Sequence, residues 1–200
     1  MKAYSYLALG DSYTIGEQVS LAKSFPYQTV QWLRKAGYNF HAPEIIATTG
    51  WITDELKHAI DETFLLNSYD FVSLLVGVNN QFRSRSVDEF RTHFRLLLEW
   101  AIQRANEIAG RVIVLSIPDW SVTPFAADRD RKIISKEIST YNFICQAEAE
   151  YFHTGFVDIT TVQSMDGSKD EFLAPDKLHP SGEEYAKWAE LLCQKMIAAI

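Results

Sequence analysis

Tyr4-Ser5-Tyr6-Leu7-Ala8-Leu9-Gly10-Asp11-Ser12-Tyr13-Thr14-Ile15-Gly16 decides the fold: an apolar run of strand length leads through Gly-Asp-Ser into a turn. Such a run bounded by glycine reads as a strand of a buried sheet. Gly10 is expected to let the chain turn sharply. Ser12 then stands at the carboxyl edge of the sheet near a helix N-terminus, with its own backbone N–H available to a developing anion. Gly, Asp and Ser are equally common as plain turn residues, so the segment alone leaves both readings open.

The same alternation continues downstream. Further strands are predicted near Phe40–Ala47, Phe71–Val76, Val112–Ser116 and Gly155–Val157, after a first at Tyr4–Leu9. Helices are predicted over Pro26–Lys35, Thr53–Leu65, Val87–Ile108, Asp130–Tyr151 and from Ser181 to the C-terminus. In Val87–Ile108 the residues Phe90, Phe94, Leu97, Leu98, Ala101, Ile102 and Ala105 recur at spacings of three and four, and Gly110 is expected to end the helix. Strands alternating with helices imply an α/β fold, a parallel sheet covered on both faces. With no repeat and no linker, residues 1–200 read as a single domain. Two connections, Ile117–Asp128 and Thr160–His179, are longer than the fold requires, and long loops in compact domains are disproportionately functional.

Composition narrows the function. The chain has 200 residues, 47% of them hydrophobic, enough for a core of its own. A formal charge of -7 without any Lys/Arg run argues against nucleic acid or an anionic membrane as partner. Cys145 and Cys193 lack metal-ligand spacing and read as reduced thiols. No apolar stretch has the length of a membrane span, and the N-terminal run is too short for a signal peptide. A cytoplasmic protein is the expectation.

Four segments carry residues suited to chemistry, each after a predicted strand. Besides Ser12, Asp176-Lys177-Leu178-His179-Pro180 sets a carboxylate three residues before a histidine. Asp176 can hold one ring nitrogen while the other stays free as a base. Pro180 and the sequence Ser181-Gly182-Glu183-Glu184, which has the spacing of a capping box, keep His179 on a loop just outside the last helix. Gly77-Val78-Asn79-Asn80-Gln81 places an amide donor at a strand end, and Thr48-Thr49-Gly50-Trp51-Ile52-Thr53 places a glycine whose N–H can approach a ligand. A nucleophile, a base, an orienting acid and oxyanion donors together suit acyl transfer.

These four motifs, in this order, resemble the SGNH or GDSL-type hydrolase family across nearly the whole chain. The resemblance implies a flavodoxin-like α/β/α sandwich with five parallel strands. It implies Ser12 as nucleophile, Asp176 and His179 as the rest of a triad, and the Ser12 N–H, Gly50 N–H and Asn79 amide as an oxyanion hole. The expected activity is ester hydrolysis through an acyl-enzyme on a small-molecule ester, with no metal or organic cofactor. A carbohydrate O-acetyl esterase, a thioesterase and a catalytically silent ligand-binding domain are the alternatives. Where the family commonly has a second acid in the third motif, this chain has Asn80. His41, His58, His93 and His153 lack an acid at triad spacing and read as structural, and Asp11 as a tie within its turn. Asp158 is a weaker candidate acid. Trp51, Phe82, Trp120 and Phe125 are expected to rim the site, while Arg83 and Arg85 read as solvated sooner than as substrate contacts.

Overall fold

The computed structural model describes residues 2–200. Three strands, β1 (Tyr6–Gly10), β3 (Phe71–Leu75) and β4 (Val112–Leu115), are buried at every position. Near-continuous apolar strands of this kind arise where helices cover both faces of a parallel sheet. Each fully buried Leu, Val or Phe contributes roughly 1.5–3 kcal/mol relative to exposure. With β2 (Glu44–Ala47) and β5 (Gly155–Val157) they form a five-stranded, wholly parallel sheet in the order β2-β1-β3-β4-β5.

The order reverses direction between β1 and β3, and right-handed crossovers then place the helix after β1 on the opposite face from those after β2, β3 and β4. Accordingly α2 (Phe25–Lys35) packs against α8 (Gly182–Ile197), while α5 (Val87–Arg104) packs against both α3 (Thr53–Glu62) and α6 (Arg131–Tyr151). Three short helices, α1 (Ser12–Ile15), α4 (Val78–Phe82) and α7 (Thr160–Asp166), complete the described elements of α-helix.

Several boundaries differ from the sequence expectation for physical reasons. Phe40 makes only an isolated bridge to Tyr4, and β2 proper starts after Pro43, which has no N–H for a ladder. Helix α5 stops at Arg104, because Asn106 and Glu107 adopt left-handed conformations; Gly110 plays no part in the stop and lies in a later 3₁₀ turn. Helix α3 ends at Glu62 and not Leu65. The connection 160–179 is partly helical, its first seven residues forming α7 and Asp170–Phe172 a 3₁₀ turn. The last helix begins as expected, with Ser181 Oγ accepting the Glu184 N–H at 3.4 Å. The reciprocal half of the capping box is absent, since the Glu184 carboxylate turns inward to the Trp188 indole N–H at 3.0 Å.

Candidate active site

Gly10 is needed for space, not for an unusual turn. Its φ is not positive, but a Cβ there would lie 2.1 Å from Thr14 Oγ1 and 2.3 Å from the Leu75 carbonyl oxygen. The missing side chain lets the chain leave β1 tightly against the end of β3. Asp11 then caps α1, its Oδ1 accepting the Tyr13 N–H at 3.1 Å, and Ser12 becomes the first residue of that helix.

The C-terminal motif reaches Ser12 from the other side. Asp176 Oδ1 accepts the backbone N–H groups of Leu178 and His179, both at 3.0 Å, a tight turn in which Lys177 takes a left-handed conformation. That turn aims Asp176 Oδ2 at His179 Nδ1, 2.6 Å away, and leaves His179 Nε2 at 2.9 Å from Ser12 Oγ. Both distances are of hydrogen-bonding length, and both Ser12 and His179 are buried. The Tyr13 ring packs on the imidazole at 5.3 Å between centroids. Burial pushes the Asp176 carboxyl up, but the His179 ring and the two backbone N–H groups outweigh it and hold the group below the ordinary carboxylate range. With its proton on Nδ1, the imidazole presents a lone pair to the Ser12 hydroxyl.

The second and third motifs meet beside this array, at the carboxyl ends of β2 and β3. Gly50 has φ +84° and its N–H donates to no protein acceptor among the described residues. Asn79 Nδ2 donates to the Trp51 carbonyl at 3.0 Å; its remaining hydrogen has only a long 3.5 Å contact to Asp11 Oδ2. That proton is available to a stronger acceptor. Asn80 does not need to be an acid: buried, it accepts the Thr53 N–H at 3.2 Å and donates to Thr53 Oγ1 at 2.9 Å, which ties α4 to the start of α3.

Ser12, Gly50, Asn79 and His179 open on one cavity of about 160 Å³, walled by Val78, Leu178 and the rings of Phe82, Trp120 and Phe125. Trp120 stands between the other two rings, 5.6 Å from Phe82 and 5.9 Å from Phe125, and its indole N–H is taken by Gln81 at 2.9 Å. Trp51 is not part of this wall; it faces a separate cleft with His58 and Arg83. Asp158 is engaged by Thr161 and Ser116, away from His179. His41, His58 and His153 are exposed. His93 lies near Asp54 and Glu89, ligand atoms within 4.8 Å of one another, but the Arg85 guanidinium already stands 3.7 and 3.5 Å from those two carboxylates.

Reasoning from sequence undervalued Arg83. It is not simply solvated: its guanidinium binds the Gly50 carbonyl and Glu55. The signal available was its place one helical turn after Asn79, where it faces the same neighbouring loop. Tyr13 and Leu178 were also missed, since nothing in a local pattern marks an apolar neighbour of a triad.

A serine, histidine and carboxylate in hydrogen-bonded series at the switch point of a flavodoxin-like sheet define a protein of the SGNH hydrolase class. The sequence profile of the GDSL-like lipase/acylhydrolase family matches residues 8–187, and the chain belongs to that family. Solved structures agree in fold. TesA has a TM-score of 0.78 at 13% identity, with 98% of this chain and 99% of that one covered. A lipase/acylhydrolase from Enterococcus faecalis has 0.78 at 18%, covering 100% and 97%. An acetyl xylan esterase from Geobacillus stearothermophilus has 0.75 at 18%, covering 96% and 94%. No curated protein sequence matches the chain. Among the described residues, no helix is long and apolar enough to cross a membrane.

Proposed function

We propose that residues 1–200 act as one carboxylic ester hydrolase domain working through an acyl-enzyme. The observation that carries this is the unbroken series from Asp176 through His179 to Ser12 Oγ, at 2.6 and 2.9 Å, opening on a cavity. His179 Nε2 takes the Ser12 hydroxyl proton as Oγ bonds to the acyl carbon, and the carbonyl π pair moves onto oxygen. The Ser12 and Gly50 N–H groups and the Asn79 amide stabilise that oxyanion. Collapse of the tetrahedral species expels the alcohol, which takes the proton from His179. Water then repeats the sequence and releases the acid with Ser12 restored.

The substrate reading is an uncharged ester whose apolar chain lies on the aromatic wall. Phe82 and Phe125 are nearly half exposed at the cavity, and the polar groups lining it belong to the serine end. A sugar would need hydrogen-bond partners along that wall, and the single indole N–H there is already bound. Each methylene buried in such a pocket gains roughly 1–3 kcal/mol in discrimination. Catalytic efficiency on p-nitrophenyl esters should therefore rise from acetyl to butanoyl and exceed that on acetylated xylo-oligosaccharides. Equal rates across the ester series, or a preference for the acetylated sugar, would remove the apolar-chain reading and leave the triad in place. Ser12→Ala and His179→Ala should each abolish most turnover and combine non-additively, as members of one unit do.

A further inference from the structure

Arg83 is partly exposed, and the reaction above makes no use of its charge. Its guanidinium nevertheless makes two directed bonds, Nη2 to the Gly50 carbonyl at 2.5 Å and Nη1 to Glu55 Oε1 at 2.9 Å. Glu55 Oε2 in turn accepts the Ile52 N–H at 2.9 Å. The Trp51 N–H donates to the Thr48 carbonyl at 3.3 Å, so the peptide plane that follows Gly50 is held at both of its polar atoms. Glycine has the freest backbone of any residue, and this one sits at φ +84°, so outside contacts must fix it.

We propose that Arg83, braced by Glu55, is a positioning residue that sets the orientation of the Gly50 N–H for the oxyanion. The inference rests on the ester-hydrolase reading. Its direct consequence is that Arg83 acts on the transition state through Gly50 without touching substrate. Slight burial pushes the Glu55 carboxyl up, but the bonds from Arg83 and the Ile52 N–H, with the charges of Arg83 and Arg85 behind them, hold it below its usual range, so the brace stays charged at neutral pH. An exposed ion pair adds little to stability, whereas a donor displaced by about 1 Å from a developing charge costs on the order of a hundredfold in rate.

The test is steady-state kinetics on a neutral p-nitrophenyl ester for the parent, Arg83→Gln, Arg83→Lys and Glu55→Gln, with melting temperatures and binding of an alkyl boronic acid that forms a tetrahedral adduct with Ser12. Arg83→Gln should lower kcat by about 10- to 100-fold, with KM within about threefold of the parent. Boronate affinity should fall in parallel with kcat, while the melting temperature should shift by no more than about 2 °C. Arg83→Lys should recover part of kcat, because an ammonium can reach the Gly50 oxygen but lacks the fork to hold Glu55 as well. Glu55→Gln should lose less than Arg83→Gln. An active parent whose Arg83→Gln form keeps kcat within about twofold overturns this proposal alone. So does a loss confined to KM, the pattern of a direct substrate contact. A folded parent that cleaves no ester overturns the hydrolase reading and this inference with it.

Discussion

Burial lifts the Asp11 carboxyl, next to Ser12, from 3.8 to about 7, because one hydrogen bond from the Tyr13 N–H and the backbone around it only partly replace water. A raised pKa in the folded state gives stability that is complete below the unfolded value and lost as pH rises through the folded one. Asp11 should thus destabilise the protein progressively between about pH 4 and 7, by on the order of 4 kcal/mol in total. Urea unfolding of Asp11→Asn at several pH values checks this. The variant's stability relative to the parent should climb across that range, whatever constant offset the new amide brings against Asn79. A flat difference would mean that Asp11 has another source of charge compensation. At Asn79 the expectation is kinetic. Its second amide hydrogen has only the long 3.5 Å contact to Asp11 in the resting protein, and on the proposed mechanism it gains a strong acceptor in the tetrahedral state, so Asn79→Ala should cost roughly 10² to 10³ in kcat with KM nearly unchanged. A folded Asn79→Ala with near-parent kcat would leave the side chain with only its bond to Trp51.

Between elements, the most asymmetric contact joins α5 to α6. Glu148 of α6 is fully buried and is met by Arg91 and Arg95 of α5 at 2.5 and 2.8 Å, while both arginines stay about half exposed. Removing the acid leaves cations that water can reach, whereas removing both cations strands a carboxylate inside. Arg91→Ala combined with Arg95→Ala should cost about 3–5 kcal/mol, and Glu148→Gln only about 1–2 kcal/mol. Denaturant unfolding gives both values; a costlier Glu148→Gln would show that its geometry and not its charge holds the helices. Elements were legible where a period ran unbroken, as in Phe90–Ala101. Their ends were not, because the stop of α5 depends on left-handed Asn106 and Glu107, and the start of β2 on Pro43 and its place in the sheet.

At the scale of the molecule, the order β2-β1-β3-β4-β5 puts the ends of β1 and β3 side by side, and segments far apart in sequence meet there. The residue types of the site could be read in advance, because Ser12, Asp176 and His179 each sit in a motif whose local spacing encodes its own geometry. Their assembly could not be derived locally. The bond from His179 to Ser12 spans 167 residues, and the contacts of Gly50 with Arg83 and of Trp51 with Asn79 cross between loops of different strands. Asn80 shows the same limit from the other side: its departure from the family pattern became intelligible only when Thr53 was found to use an amide's donor and acceptor together. The central claim is that this array makes Ser12 a nucleophile. Reaction with a fluorophosphonate, followed by peptide mapping in a mass spectrometer, tests it directly. One phosphonyl adduct on Ser12, absent in Ser12→Ala and formed far more slowly in His179→Ala, is the predicted result; an unmodified Ser12 in folded protein would contradict it.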